Sequence, residues 1–320
     1  MNHSKFSLAD LLTVLGAIIF GFFCFLSFNF LSMGKTVPSI GRAATLTFLL
    51  GGFAFIVKLL KIRSRNFKAG VIWEWVCLVL FTIIACLSVV PFSHYFAVLQ
   101  QKEEIRNKVT VDIELAKGMF THYEDYAKNR EAIYKSRLDG VVRGKYRNPN
   151  QYYHDYGFVE GRSDSVQIDN KTFTLHAQLF PTNYEGANGM KQLATNWLNN
   201  AESTLEDKWK FTFGVVDVVN KLQTNVSNWK GDLEKYSKFR ATGEQAENHE
   251  FTLAFNDITD KITQLGTPGV YATAFAFILY ILMLLSYVLT KRHSKSQYTL
   301  FSFISTKKDK KSSGDIDIDY

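Results

Sequence analysis

Histidines are the first residues of this 320-residue chain to consider for binding a metal or transferring protons. Four of them show no HxxxH or HExxH spacing: His94, His122, His154 and His176. A zinc site needs such closely spaced ligands, and no cysteine joins these histidines to complete one. We therefore expect the histidines to be structural, and we expect neither a metal nor a cofactor.

The densest cluster of polar and aromatic residues lies around position 154. Tyr152, Tyr153 and His154 are followed directly by Asp155 and Tyr156. Aromatic rings with a few polar groups are typical of ligand pockets, so Tyr152, Tyr153 and His154 are a candidate ligand or partner surface. A packed loop is the alternative interpretation, and the sequence leaves both open.

Motifs of the common enzyme classes are absent from the sequence, including a nucleophile elbow, a Walker loop and a dinucleotide fingerprint. Gly186 and Gly189 precede a predicted helix, whose N-terminus could bind an anion. No Lys-Ser or Lys-Thr pair accompanies these glycines, so an ordinary helix start explains them better. We therefore predict that the chain is not an enzyme.

Four long apolar stretches of the sequence could each form a membrane-spanning helix. They cover residues 11–31, 43–57, 71–90 and 270–290, and about 20 apolar residues suffice to cross a bilayer. The first stretch is longer than the apolar region of a signal peptide, so we interpret it as a retained helix. The sequence predicts a polytopic α-helical membrane protein, with three transmembrane helices in residues 1–97 and a fourth in 269–290.

Basic residues flank these stretches unevenly. The predicted topology anchors are Lys58, Lys61, Arg63, Arg65 and Lys68 in the loop 58–70, and Lys291 and Arg292 after the fourth helix. Because short loops rich in Lys and Arg stay in the cytoplasm, we expect both termini to be cytoplasmic. The excess of 37 Lys and Arg over 30 Asp and Glu lies beside the membrane, so it indicates contact with the lipid bilayer and no nucleic acid.

Residues 98–268 are predicted to form a mainly helical (α+β) domain outside the cytoplasm, between the third and fourth transmembrane helices. Its first part has apolar residues at steps of three and four, which is typical of an amphipathic helix. Near 156–180, apolar residues alternate with polar ones on both sides of Asp169-Asn170-Lys171, which predicts a small β-hairpin on helical legs. The alternating residues are Val166, Ile168, Phe173, Leu175 and Ala177.

The last part of the chain, residues 291–320, is predicted to be a short basic cytoplasmic tail. About 30 residues rarely fold unaided, so a docking peptide for a cytoplasmic partner is the better interpretation. The candidate partner-binding residues are the apolar ones of the segment YTLFSFIS, namely Tyr298, Leu300, Phe301, Phe303 and Ile304.

The order of these features resembles that of one family. Three N-terminal spans, the loop KIRSRNFK, one large domain, the span VYATAFAFILYILMLLSYVLT and the tail ending GDIDIDY resemble the TssN-like multi-pass components of Bacteroidetes-type type VI secretion systems. The likeness is architectural and covers the whole length without a sharp motif. It implies a non-catalytic scaffold in a bacterial inner membrane, a homo-oligomer whose domain 98–268 meets periplasmic partners and other membrane proteins.

Two functions remain open at this point. The first is a structural subunit of an envelope-spanning complex. This function predicts that the protein co-purifies with other membrane proteins. The second is a membrane sensor or regulatory protein, whose domain binds a ligand around Tyr152, Tyr153 and His154. A ligand that binds only the folded state would raise the melting temperature.

Overall fold

The computed structural model describes residues 7–62, 67–186, 188–247 and 249–291. The helices in these ranges are α1 (Leu8–Leu31), α2 (Thr36–Ile62), α3 (Phe67–Gln100), α4 (Lys102–Arg143), α5 (Asp164–Leu179), α6 (Met190–Glu206), α7 (Lys208–Ser237), α8 (Thr259–Thr263) and α9 (Val270–Leu289). A π-helical turn, Gln151–Asp155, lies between α4 and α5. The chain divides into two compact units, one with α1, α2, α3 and α9 and one that spans Gln101–Ile262.

The first unit consists of apolar helices. Each of α1, α2, α3 and α9 is long and apolar enough to cross a membrane. A helix suits this role because it satisfies its backbone hydrogen bonds internally, which a lipid environment requires. The prediction of a helical protein with four helices that could span a membrane is therefore confirmed.

The four apolar helices alternate in direction. Asp10 near the start of α1 is bonded to Lys58 near the end of α2 and to Ser286 near the end of α9. Glu74 near the start of α3 accepts a hydrogen bond from Tyr287 of α9. These contacts place the start of α1, the end of α2, the start of α3 and the end of α9 at one end of the bundle.

Aromatic side chains fill the interior of this bundle. Phe20 of α1 stacks on Phe92 of α3, with ring centroids 5.0 Å apart. Phe23 packs edge-on against Phe92 and against Phe275 of α9. Offset and edge-on ring pairs stabilise more than their buried area alone, so this cluster holds three of the helices together.

The second unit is organised around α4, whose 42 residues make it about 63 Å long at 1.5 Å per residue. Its buried positions recur at steps of three and four, as the amphipathic pattern predicts. They include Ile105, Val109, Ile113, Ala116, Phe120, Tyr123, Ala127, Tyr134 and Leu138. Helices α5, α6 and α7 pack against this buried stripe.

The predicted β-hairpin near 156–180 is wrong, because residues Asp164–Leu179 form the helix α5. Ile168, Leu175 and Leu179 are buried, and their spacing of seven and four also fits one face of a helix. Val166, Phe173 and Ala177, which complete the predicted alternation, are exposed. No β-strand occurs in the described ranges, so the domain is helical there and the α+β prediction is not supported.

Candidate binding groove on helix α4

A buried ion pair fastens the chain that follows α7 to α4. Arg130 of α4 donates from Nε to Oε1 of Glu244 at 2.6 Å and from Nη2 to Oε2 at 2.8 Å. The same guanidinium donates to the carbonyl oxygens of Ser237, at 2.7 Å, and Phe239. The two charged side chains are only 4% and 3% exposed. Burial acts to lower the pKa of Arg130, but its hydrogen bonds to Glu244 and the negative charge of that carboxylate outweigh burial and raise the pKa, so the guanidinium stays charged.

Two tyrosines of α4 continue this attachment. The hydroxyl of Tyr134 donates to the carbonyl of Thr242 at 2.9 Å, and that of Tyr126 donates to the carbonyl of Glu247 at 2.9 Å. The ring of His249 stacks on Tyr126 with centroids 4.5 Å apart. The chain beyond residue 237 is therefore held along α4 by side chains of α4 itself.

The segment 249–255, which we call the edge segment, is extended. The N–H of His249 donates to the hydroxyl of Ser237, and this hydroxyl donates to the carbonyl of His249, each at 3.4 Å. Phe251 donates its N–H to Glu234 at 3.2 Å. Burial alternates along the segment: Phe251 is buried, Leu253 and Phe255 are half-buried, and the residues between them are exposed. Alternation with a period of two is the signature of an extended chain.

A groove of about 640 Å³ lies between α4 and the edge segment. Its apolar wall includes Val111, Leu115 and Met119 of α4, with Phe251 and Leu253 opposite. Val111 is 53% exposed and Leu115 is 40% exposed. Pockets of roughly 300–1,000 Å³ with mostly apolar walls are typical of binding sites, so this groove is the candidate functional site.

The titratable residues that line the groove are two carboxylates and two histidines. Burial and then the neighbouring His122 lower the pKa of His249, so His249 is neutral at neutral pH. Glu114 forms an ion pair with Lys117 of the same helix, and its Oε1 lies 3.0 Å from Nζ of the lysine. Glu250 forms no ion pair with the residues that the structure describes. The groove is thus apolar with a negative margin.

The far end of the edge segment has its own anchor on α4. Asp112 is buried and accepts hydrogen bonds from the backbone N–H of Asn256 at 3.2 Å and from its Nδ2 at 2.7 Å. Burial raises the pKa of Asp112 despite these two bonds. The edge segment is therefore pinned at both ends, by Arg130 and Glu244 before it and by Asp112 after it.

The cluster singled out in the sequence around position 154 lies on the π-helical turn. Tyr152 is buried, donates its hydroxyl to Asp164 of α5 and stacks on Phe158 with centroids 4.6 Å apart. Tyr153 packs edge-on against Tyr152, and both Tyr153 and His154 are exposed. The ring and hydroxyl of Tyr152 are occupied within the domain, while Tyr153 and His154 face outward.

The histidines considered in the sequence are dispersed. His122 lines the groove, His176 lies 2.9 Å from Glu131 between Nδ1 and Oε1, and His94 is buried in α3. No group of three or more His, Cys, Asp or Glu side chains placed to hold a metal occurs among the described residues.

Two of the predicted topology anchors take part in a polar network at one end of the membrane bundle. Lys58 is buried and pairs with Asp10, which also accepts a hydrogen bond from Ser286. Lys61 donates to the carbonyl of Tyr287 at 2.8 Å and lies over its ring, 4.4 Å from the centroid. Among the other anchors, Lys291 is exposed.

Several predicted residues lie outside the described residues. These are Arg63, Arg65, Arg292, the side chain of Lys68, and the tail residues Tyr298, Leu300, Phe301, Phe303 and Ile304.

Asp10, Arg130 and His249 are among the residues of these sites that sequence reasoning missed. Arg130 follows Tyr123 and Ala127 and precedes Tyr134 at steps of four, three and four, so it occupies a core position of an amphipathic helix. A cation at such a position is a signal for a buried ion pair. No comparable signal marks His249, because its role depends on the extended chain beside α4.

Comparison of the chain with models of known protein families, with curated proteins and with solved structures found no match. The fold and the groove define the class to which it belongs: a helical membrane protein with four candidate spans and one separate helical unit that carries an apolar groove.

Proposed function

We propose that this chain is a non-catalytic structural subunit of an envelope-spanning protein complex, and that the complex is the membrane complex of a secretion system of the TssN-containing kind. The observation that carries the proposal is the open groove on α4, in a unit whose chain is continuous with candidate membrane spans. Soluble surfaces rarely expose contiguous apolar patches unless they bind something. The choice of a secretion system rests on the architectural resemblance to TssN-like components.

The proposed orientation has both termini in the cytoplasm and residues 98–268 in the periplasm of a bacterial inner membrane. Its support is the basic loop 58–70 together with the alternating directions of α1, α2, α3 and α9. Thr182 is exposed in the helical unit, so Thr182→Cys should react with a membrane-impermeant maleimide in intact cells. Reaction only after the inner membrane is permeabilised would reverse the orientation.

Native purification tests the structural role. The N-terminally tagged protein is extracted gently from its own membranes, and the co-purifying proteins are identified and quantified by mass spectrometry. We expect other envelope proteins, including secretion-system components, at fixed stoichiometry and more than one copy of this chain. Recovery of the protein alone, or with a kinase or regulator, would remove the scaffold proposal.

A membrane sensor is the second candidate function, because the volume of the groove also falls in the range of small-ligand sites. The purified full-length protein is heated with and without members of a metabolite library. A ligand that raises the melting temperature of the wild type, and not that of Val111→Lys in the groove wall, would favour the sensor. No shift with any compound would leave the structural subunit.

A further inference from the structure

We propose that the groove receives an extended, apolar and basic segment of a partner protein, which pairs as a β-strand with residues 250–254 of the edge segment. This inference rests on the proposed function as a partner-binding subunit and specifies the chemistry of the partner. It is a form of strand addition, in which backbone hydrogen bonds supply affinity and side-chain pockets supply specificity.

The hydrogen bonds of the edge segment leave one of its sides available. His249 directs both backbone groups toward Ser237, and Phe251 directs its N–H toward Glu234, so this side faces α7. In an extended chain the N–H and carbonyl of one residue point to the same side, and those of the next residue point to the opposite side. The backbone groups of Glu250 and Thr252 therefore face away from α7, toward the groove.

These backbone groups have no partner within the described protein. Neither the N–H nor the carbonyl of Glu250 or Thr252 forms a hydrogen bond with a described residue. Both residues line the groove, and an extended segment there would place its own donors and acceptors opposite theirs. The anchors at Glu244 and Asp112 hold the edge segment in this extended form before a partner arrives, which lowers the ordering cost of binding.

The opposite wall of the groove gives such a segment its apolar contacts. Alternate side chains of a strand point to the same face, so every second residue of the incoming segment would face α4. Val111 and Leu115 are one helical turn apart and are 53% and 40% exposed, while Met119, one turn later, is buried. Apolar residues at alternate positions of the partner would bury Val111 and Leu115.

The acidic side chains of the groove favour basic residues at the other positions of the partner segment. No Lys or Arg is among the residues that line the groove, whereas Glu114 and Glu250 do line it. Because Glu250 has no ion pair with a described residue, a Lys or Arg of the partner beside it would gain a favourable interaction. Under the proposed topology the chain's own tail lies across the membrane, so the segment comes from another protein.

The test uses full-length protein in nanodiscs and a phage-displayed library of random peptides as the probe. We expect selected peptides to alternate apolar residues and to include Lys or Arg. Val111→Lys should weaken their binding about tenfold or more, as for a central interface residue. Val166→Lys is the matched control: Val166 is also a helical valine of this unit, and it is 55% exposed against 53% for Val111.

Amide hydrogen exchange provides the readout specific to strand pairing. A bound peptide should slow exchange across residues 250–254 in the wild type, and Val166→Lys should retain this protection. Peptides that bind without slowing exchange there, or an enrichment without alternation of apolar residues, would overturn the inference, as would a selection that yields no binder. The structural-subunit proposal is judged separately by native co-purification, so either proposal can fail while the other stands.

Discussion

Arg130 holds both carboxylate oxygens of Glu244, a residue 114 positions further along the chain, in a buried bidentate pair. This pair links α4 to the chain after α7, five residues before the edge segment begins. Its remaining donors satisfy the carbonyls of Ser237 and Phe239. A buried ion pair with its hydrogen bonds satisfied is costly to break from one side, because an unpaired charge then stays buried.

Removing this cation should therefore destabilise the helical unit strongly. We expect Arg130→Ala to lower its free energy of unfolding by about 3–5 kcal/mol, measured on the full-length protein in detergent by denaturant titration. The control is Lys135→Ala, whose partner Asp169 lies 3.5 Å away in a pair that is 53% and 69% exposed. Exposed pairs contribute about 0–1 kcal/mol, so equal losses in the two variants would contradict this account.

The ion pair of Asp10 and Lys58 should behave as a coupled unit within the membrane bundle. Asp10→Asn leaves a buried cation without its counter-charge, and Lys58→Met leaves a buried carboxylate, so each single change should lower heat stability in detergent. The double variant carries neither charge and should recover much of the loss, with a coupling energy of about 1–3 kcal/mol. Losses that simply add in the double variant would show that the two charges do not stabilise one another.

Gly21 allows the close approach of α1 and α2. A Cβ at this position would lie 2.2 Å from Oγ1 of Thr47 and within 3.3 Å of its Cβ and Cγ2, so Thr47 would have to move to make room. Gly21→Ala should destabilise the bundle by about 1–3 kcal/mol, the usual cost of overpacking.

Gly52 of α2 provides the control for this change. A Cβ there would meet nothing within 4 Å, and alanine is the better helix former. Gly52→Ala should therefore leave the heat stability of the detergent-solubilised protein equal to or above that of the wild type. If both alanine variants lose stability alike, the close contact at Thr47 is not the cause.

The membrane helices could be predicted from the sequence because their signal is local. A long apolar run has one stable solution in a bilayer, namely a helix. The charges beside those runs are harder to interpret. Lys58 is one of the predicted topology anchors, and it is buried against Asp10, because α1 and α2 bring the two residues together across 48 positions of sequence.

The error at α5 and the omission of the groove have different physical causes. Ile168 and Leu175 fit a strand pattern and a helix pattern equally well, and burial against α4 decides between them. The groove exists only because Arg130 and Asp112 fix an extended segment at a distance from α4 that no local pattern encodes. Composition alone could not indicate which apolar residues of α4, such as Val111, stay uncovered.

Acid should weaken the contact between the π-helical turn and α5. The hydrogen bond from Tyr152 and then the bond from Lys145, at 2.9 Å, lower the pKa of Asp164. A carboxyl whose folded-state pKa is lowered stabilises the fold above its unfolded pKa of about 3.9, and this stabilisation is lost as the pH falls through the folded pKa. Asp164→Asn should therefore melt below the wild type at pH 7, and the difference should shrink on acidification below pH about 4.

Melting temperatures of the full-length protein in detergent, taken across this pH range, measure that difference. Asp169→Asn is the control on the same helix, since its side chain is 69% exposed and its ion pair is long, at 3.5 Å. That variant should follow the wild type closely at each pH. A gap between wild type and Asp164→Asn that stays constant down to the acid limit would mean that the carboxylate of Asp164 does not stabilise this contact. The role of Tyr152 would then rest on its ring contacts with Phe158 and Tyr153.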